Sequence, residues 1–151
     1  MTNIKIETIT GESLDIPIYD KVTVITGNSS SGKTKMINWL KACKKIPKEV
    51  KYSSIDLNNI LVISDEDDVE YIINNPKAGN FIFIDHYSFL GNNIDLYNFI
   101  RTSKNIFIVM GHRNTSGLTS QDAVLMMEHD GKHYVCKQIY PNGIFKPIEN
   151  I

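Results

Sequence analysis

The chemistry most readily read in this chain is carried by Gly27, Asn28, Ser29, Ser30, Ser31, Gly32, Lys33 and Thr34. They follow the apolar run Val22-Thr23-Val24-Ile25-Thr26 and lead into a helical pattern that begins near Lys33. The order G-x-x-x-x-G-K-T suits a chain that turns sharply from strand to helix while its backbone N–H groups curl around a phosphate. Gly27 permits the tight exit from the strand, and Gly32 lets backbone approach phosphate oxygens with no Cβ in the way. A helix N-terminus adds unpaired donors and partial positive charge. Lys33 is then placed to reach the β- and γ-phosphates of a nucleotide, and the Thr34 hydroxyl to ligate Mg²⁺. The bland alternative is a serine-rich turn ending by chance in Lys-Thr; the strand before it and the helix after it argue against that.

A second chemical position closes Phe81-Ile82-Phe83-Ile84-Asp85. Four apolar residues ending in an acid describe a buried strand whose carboxylate emerges at its C-terminal end, the edge where open α/β sheets bind ligands. Asp85 there holds Mg²⁺ through its water shell while Thr34 ligates it directly. The run Asn105-Ile106-Phe107-Ile108-Val109-Met110 reads as a further buried strand, ending in Gly111-His112-Arg113-Asn114. As a parallel neighbour it would put His112 beside the terminal phosphate, next to Asp85; the plain alternative is a histidine and an arginine on a solvated loop.

The elements that must position these groups follow from pattern. Residues 4–9 and the alternating Leu14, Ile16 and Ile18 read as two short strands around a Thr10-Gly11-Glu12-Ser13 turn, with Pro17 marking the second as an edge. The helix after the loop turns Met36, Ile37, Leu40 and Cys43 inward, carries Trp39 on or beside that face, and ends at Pro47. Lys33, Lys35, Lys41, Lys44, Lys45, Lys48 and Lys51 make its surroundings basic. Without arginine or interleaved aromatics beyond Trp39, that cluster reads as a solvated face rather than a nucleic-acid surface. Residues 60–63 form another apolar strand. Ser64 or Asp65 caps the next helix, whose acidic first turn (Asp65, Glu66, Asp67, Asp68) is explained more simply by the helix dipole than by a metal. Val69, Ile72 and Ile73 form its buried face, residues 74–80 a loop, and Leu96, Phe99 and Ile100 a short helix. Residues 122–127 and 133–139 read as a hairpin turning at Asp130-Gly131. Residues 141–151 carry little pattern.

Composition bounds the rest. A length of 151 residues is one domain, 1–151, by the usual size prior, and the formal net charge of −1 supplies no global field toward nucleic acid or membrane. Cys43 and Cys136 are too few for a disulfide framework and form no zinc-like cluster. With no apolar signal segment at the N-terminus and no bilayer-spanning run, the reading is a cytoplasmic protein without membrane insertion.

Taken together, the phosphate loop, the strand inserted before residues 81–85 and the polar-tipped strand after it resemble the additional-strand branch of the P-loop NTPases. Within that branch the chain looks most like a minimal ABC-type ATPase core. Residues 16–34 are similar to the hairpin feeding the Walker A motif, residues 81–85 to Walker B, and Val109-Met110-Gly111-His112 to the strand and switch histidine. Residues 123–139 resemble the hairpin that follows. The resemblance implies an α/β P-loop NTPase fold in three layers: a mostly parallel central sheet with N-terminal and C-terminal β-hairpins. It implies ATP and Mg²⁺ as cofactors, His112 sensing the γ-phosphate, and Arg113 contributing charge to a neighbouring site in a homo-oligomer.

The departures matter equally. ABC enzymes place a glutamate after the Walker B aspartate to orient water; His86 stands here, a weaker and shorter-reaching base. No signature segment or helical subdomain fits between Lys45 and Asn80, and no aromatic precedes Tyr19 to stack on a base. The reading is therefore an Mg-ATP-binding, ATPase-like protein with slow or partner-dependent hydrolysis, acting as a switch or accessory module, its site completed by a protein partner or a second copy. A non-hydrolysing nucleotide-binding or interaction protein is the first alternative. A small-molecule kinase is the second, weakened because Arg101 and Arg113 are the only arginines and no lid is evident.

Overall fold

In the computed structural model the described residues are 3–27, 32–85, 93–111 and 123–139. They form nine strands: β1 (Asn3–Thr8), β2 (Ser13–Pro17), β3 (Val22–Thr26), β4 (Val50–Ser53), β5 (Ile60–Ile63), β6 (Phe81–Ile84), β7 (Ile106–Met110), β8 (Val124–Asp130) and β9 (His133–Gln138). The α-helices among them are α1 (Lys33–Lys45), α2 (Glu66–Asn74) and α3 (Ile94–Thr102). All nine strands join one sheet in the order β4-β1-β2-β9-β8-β3-β7-β6-β5.

The three-layer P-loop NTPase fold, with a mostly parallel sheet between helices, is not what forms. The sheet is mixed and strongly curled, a half-barrel with three α-helices among the described residues. Parallel pairing runs through β8-β3-β7-β6-β5, but β1–β2, β1–β4 and β8–β9 are antiparallel. The two hairpins are not additions to a finished sheet. A parallel pairing of β2 with β9, Ser13 opposite His133 through Asp15 opposite Val135, splices both into it.

The curl has a packing cause. The inward face of α1 (Met36, Ile37 and Leu40, all fully buried) meets apolar residues from eight strands in one cluster. Among them are Ile4, Ile16, Ile25, Ile60, Phe83, Ile108, Leu125 and Tyr134. A flat sheet so wide does not bring both ends onto one helix; a curled one does. On the opposite face, Val69 and Ile72 of α2 and Leu96 and Ile100 of α3 pack on Val24, Ile84, Phe107 and Val109 of the parallel strands.

Pro17 does not mark an edge, because β2 lies between β1 and β9. It is tolerated because the β2–β9 pairing ends at Asp15, so the missing N–H falls beyond the ladder. Among the described residues the sheet ends at β4 and β5. Strand β4 is a short element with its two central residues exposed, and its lack of apolar period left it without a sequence signal.

The helix after β5 starts as its composition predicts. Asp65 accepts from the Asp68 N–H at 2.8 Å, and the Asp68 carboxylate accepts from the Ser64 N–H at 2.9 Å. Asn93 caps α3 by accepting from the Leu96 N–H. No helix among the described residues is long and apolar enough to cross a membrane.

Candidate functional site

Strand β3 is buried along its whole length between β7 and β8, so its C-terminal end is held on both sides. Gly27 follows it, and Gly32 forms the N-cap of α1 with φ +92°, a left-handed conformation that favours glycine. Asn28, Ser29, Ser30 and Ser31 lie outside the described residues. The Lys33 side chain turns back and donates from Nζ to the Gly27 carbonyl at 2.7 Å, bridging the two ends of the loop. Partial burial holds the Lys33 ammonium below the usual lysine range. Thr34, one position on, is exposed.

The N-terminus of α1 differs from those of α2 and α3. Among the described residues it has no side-chain cap and no acidic residue in its first turn, whereas α2 and α3 have both. Its first-turn N–H groups are therefore not neutralised by the helix's own side chains, which is the arrangement an anion needs.

Asp85 follows β6, half-buried, with its backbone N–H donating to the Ile63 carbonyl at 2.8 Å. Strand registers locate it relative to the loop. Val109 stands opposite both Val24 and Ile84, so Asp85 lies one residue past the level of Val24, at the same sheet edge as Gly27. Two inter-strand spacings separate their strands, about 10 Å. Strand β7 runs between them, and Gly111 at its end donates to the Ile25 carbonyl at 2.9 Å. His86, His112 and Arg113, the other predicted site residues, lie outside the described residues.

Of the basic cluster, Lys35, Lys41, Lys45, Lys48 and Lys51 are exposed, while Lys44 donates from Nζ to the Ile60 carbonyl and so anchors α1 to β5. No group of three or more histidine, cysteine or acidic side chains is arranged to hold a metal among the described residues. Thr34 and Asp85 offer one hydroxyl and one carboxylate. Hard oxygen donors in that small number suit Mg²⁺, which keeps several waters and takes its remaining ligands from phosphate.

One neighbour of the loop has no signal in the sequence near Gly27 or Lys33. Strand β8 pairs with β3 up to Met126 opposite Thr26 and then continues past the end of β3 to Asp130. Leu125 and Met127 alternate onto the α1 side, and His129 follows on the same face. Its ring packs against Gly32: a Cβ there would lie 3.2 Å from His129 Nδ1 and 3.4 Å from its Cγ. His129 stacks on its cross-strand partner Tyr134, ring centroids 4.3 Å apart and planes 5° from parallel, and Trp39 of α1 approaches Tyr134 at 5.6 Å. Burial, with the Glu12 carboxylate adding to it, pushes the Tyr134 hydroxyl above the usual tyrosine range.

Compared with known proteins, the chain matches no protein-family model and no curated protein.

Proposed function

We propose that this protein binds a nucleoside triphosphate with Mg²⁺ at residues 27–34, and that any hydrolysis it performs is slow or depends on a partner. The observation that carries the reading is the uncapped, acid-free N-terminus of α1 behind Gly32, with Lys33 folded over the same loop. Backbone donors there take the phosphate oxygens, and the Lys33 ammonium exchanges the Gly27 carbonyl for a phosphate. Thr34 and Asp85 are the residues that hold Mg²⁺, which supplies neutralisation of phosphate charge. His112 is assigned to sensing the terminal phosphate and Arg113 to a neighbouring copy's site. His86 stands where a stronger base would speed attack by water; that substitution is why slow turnover is proposed.

Calorimetric titration of Mg-ATP into the wild type and Lys33→Ala tests this. Loss of one charged contact of about 1.5–3 kcal/mol predicts affinity about 10- to 100-fold weaker in the variant. Its thermal midpoint should stay near that of the wild type, because Lys33 is only half-buried. Equal affinities for the two proteins, or no binding by the wild type, would refute the assignment. Binding without phosphate release would make the protein a non-hydrolysing nucleotide binder.

A further inference from the structure

We infer that the hollow where β5 and β6 begin, beneath α2 and α3, binds a single planar ring bearing a carboxamide or lactam edge. It lies at the end of the sheet opposite Gly27 and Asp85, so it stands apart from the phosphate loop.

A contrast between two asparagines carries the inference. Asn105 is 3% exposed and uses both ends of its carboxamide. Its Oδ1 accepts from the Asn80 N–H at 2.8 Å, and its Nδ2 donates to the Lys77 carbonyl at 2.9 Å. Asn80 is 8% exposed, and its backbone is held on both sides, since its carbonyl accepts from the Ile106 N–H at 3.0 Å. Yet the Asn80 carboxamide makes no hydrogen bond among the described residues, and Asn80 lines the hollow. Buried amides are ordinarily paired. One that is held in place without a protein partner offers a donor and an acceptor to whatever enters the hollow.

Shape and charge narrow the occupant. Leu61, Ile72, Ile82 and Phe99 supply apolar surface, and the volume is about 130 Å³. An apolar protein cavity of about 150 Å³ takes one benzene, so a single six-membered ring suits this space. No carboxylate lines the hollow among the described residues, and Lys77 is the charged side chain there, so a cationic ligand is disfavoured. The edge complementary to a carboxamide is a donor beside an acceptor, as in a primary amide or a lactam. Such an edge pairs with both ends of Asn80 at once. Because the Asn80 backbone is already fixed, little ordering remains to oppose binding.

An amide NMR titration of the full chain tests this, with benzamide and with methyl benzoate as ligands. Methyl benzoate keeps the ring and the carbonyl but has no N–H to donate. Benzamide should bind at millimolar concentration and shift the backbone amides of Leu61, Asn80 and Ile82. Methyl benzoate should bind about tenfold more weakly, for one lost hydrogen bond. Leucine has nearly the shape of asparagine without its polar edge, so Asn80→Leu should bind the two ligands within about twofold of each other. Benzamide shifts that are absent, or confined to residues away from the hollow, would overturn the inference. Equal affinities in the wild type would do the same, because the hollow would then read no amide edge. So would a full preference for benzamide retained in Asn80→Leu. If that variant fails to fold, the wild-type ratio and the map of shifted residues decide the matter.

Discussion

Gly32 and His129, far apart in sequence, lie against each other, and a side chain at position 32 would press on the imidazole: its Cβ would stand 3.2 Å from Nδ1, so the ring would have to give by a few tenths of an ångström. Gly32 also has φ +92°. Backbone strain therefore opposes any replacement, and how far the imidazole can give sets what the contact adds.

Gly32→Ala is expected to lower stability by about 1–3 kcal/mol through backbone strain, with the imidazole contact adding to it. Adding His129→Ala to that variant should recover part of the loss, since it relieves the contact but not the strain. Urea unfolding of the single and double variants measures the difference. A double variant whose loss equals the sum of the two single losses would show that the contact contributes nothing.

Core packing makes a different demand. Leu40 is fully buried at the centre of the cluster joining α1 to the curled sheet. Truncating it to alanine should cost about 2–5 kcal/mol. The exposed neighbour Lys41, changed to alanine, should alter stability by less than about 0.5 kcal/mol. Similar losses at both positions would be inconsistent with α1 as the element around which the sheet curls.

Thr23 offers a gain. It is fully buried in β3, and its hydroxyl has no hydrogen-bond partner among the described residues. Valine has nearly the same shape and no hydroxyl to desolvate, so Thr23→Val should raise stability by about 1 kcal/mol. A lower denaturation midpoint for this variant would indicate that the hydroxyl is paired after all.

The two thiols set an alkaline limit. Burial, with the Glu12 and Glu49 carboxylates adding to it, pushes Cys43 up to about 11, and burial followed by the Asp15 charge raises Cys136 further. In the unfolded chain both ionise near the usual 9.0. Above that pH the unfolded state releases protons that the folded state retains, so stability is fully present below about 9 and falls as pH rises from there. Urea midpoints from neutral pH to about 10.5 should decline, and decline less in Cys43→Ala/Cys136→Ala. Identical slopes would remove the thiols as the cause.

Metal removal addresses the proposed site. If Asp85 holds Mg²⁺ through water, Asp85→Asn should weaken Mg²⁺ in the nucleotide complex by about 10- to 100-fold. Chelation should then weaken ATP binding strongly in the wild type and little in the variant. Equal sensitivity to chelator in both proteins would exclude Asp85 from the metal site.

Much of the secondary structure is legible because its causes are short in range. The apolar run 22–26, the inward period of Met36, Ile37 and Leu40, and the acidic first turn after Asp65 all act within a few residues, and β3, α1 and α2 form where they predict. Asp130-Gly131 likewise marks the turn between β8 and β9, with Gly131 at φ +59°. Legibility ends with lateral order. Pro17 reads as an edge signal, yet β2 is interior, because whether a missing N–H matters depends on where the neighbouring strand stops.

By itself, then, the sequence determined which segments extend, which coil, and that a Gly- and Ser-rich loop joins a buried strand to a helix. Tertiary structure alone decided that the hairpins join one curled sheet, that Ser13 meets His133, and that β8 outruns β3 to carry His129 onto Gly32. The physical reason is the range of the forces involved. Period and turn chemistry are set by neighbours along the chain, whereas strand order is set by which distant apolar faces bury best together, and no local pattern records that choice.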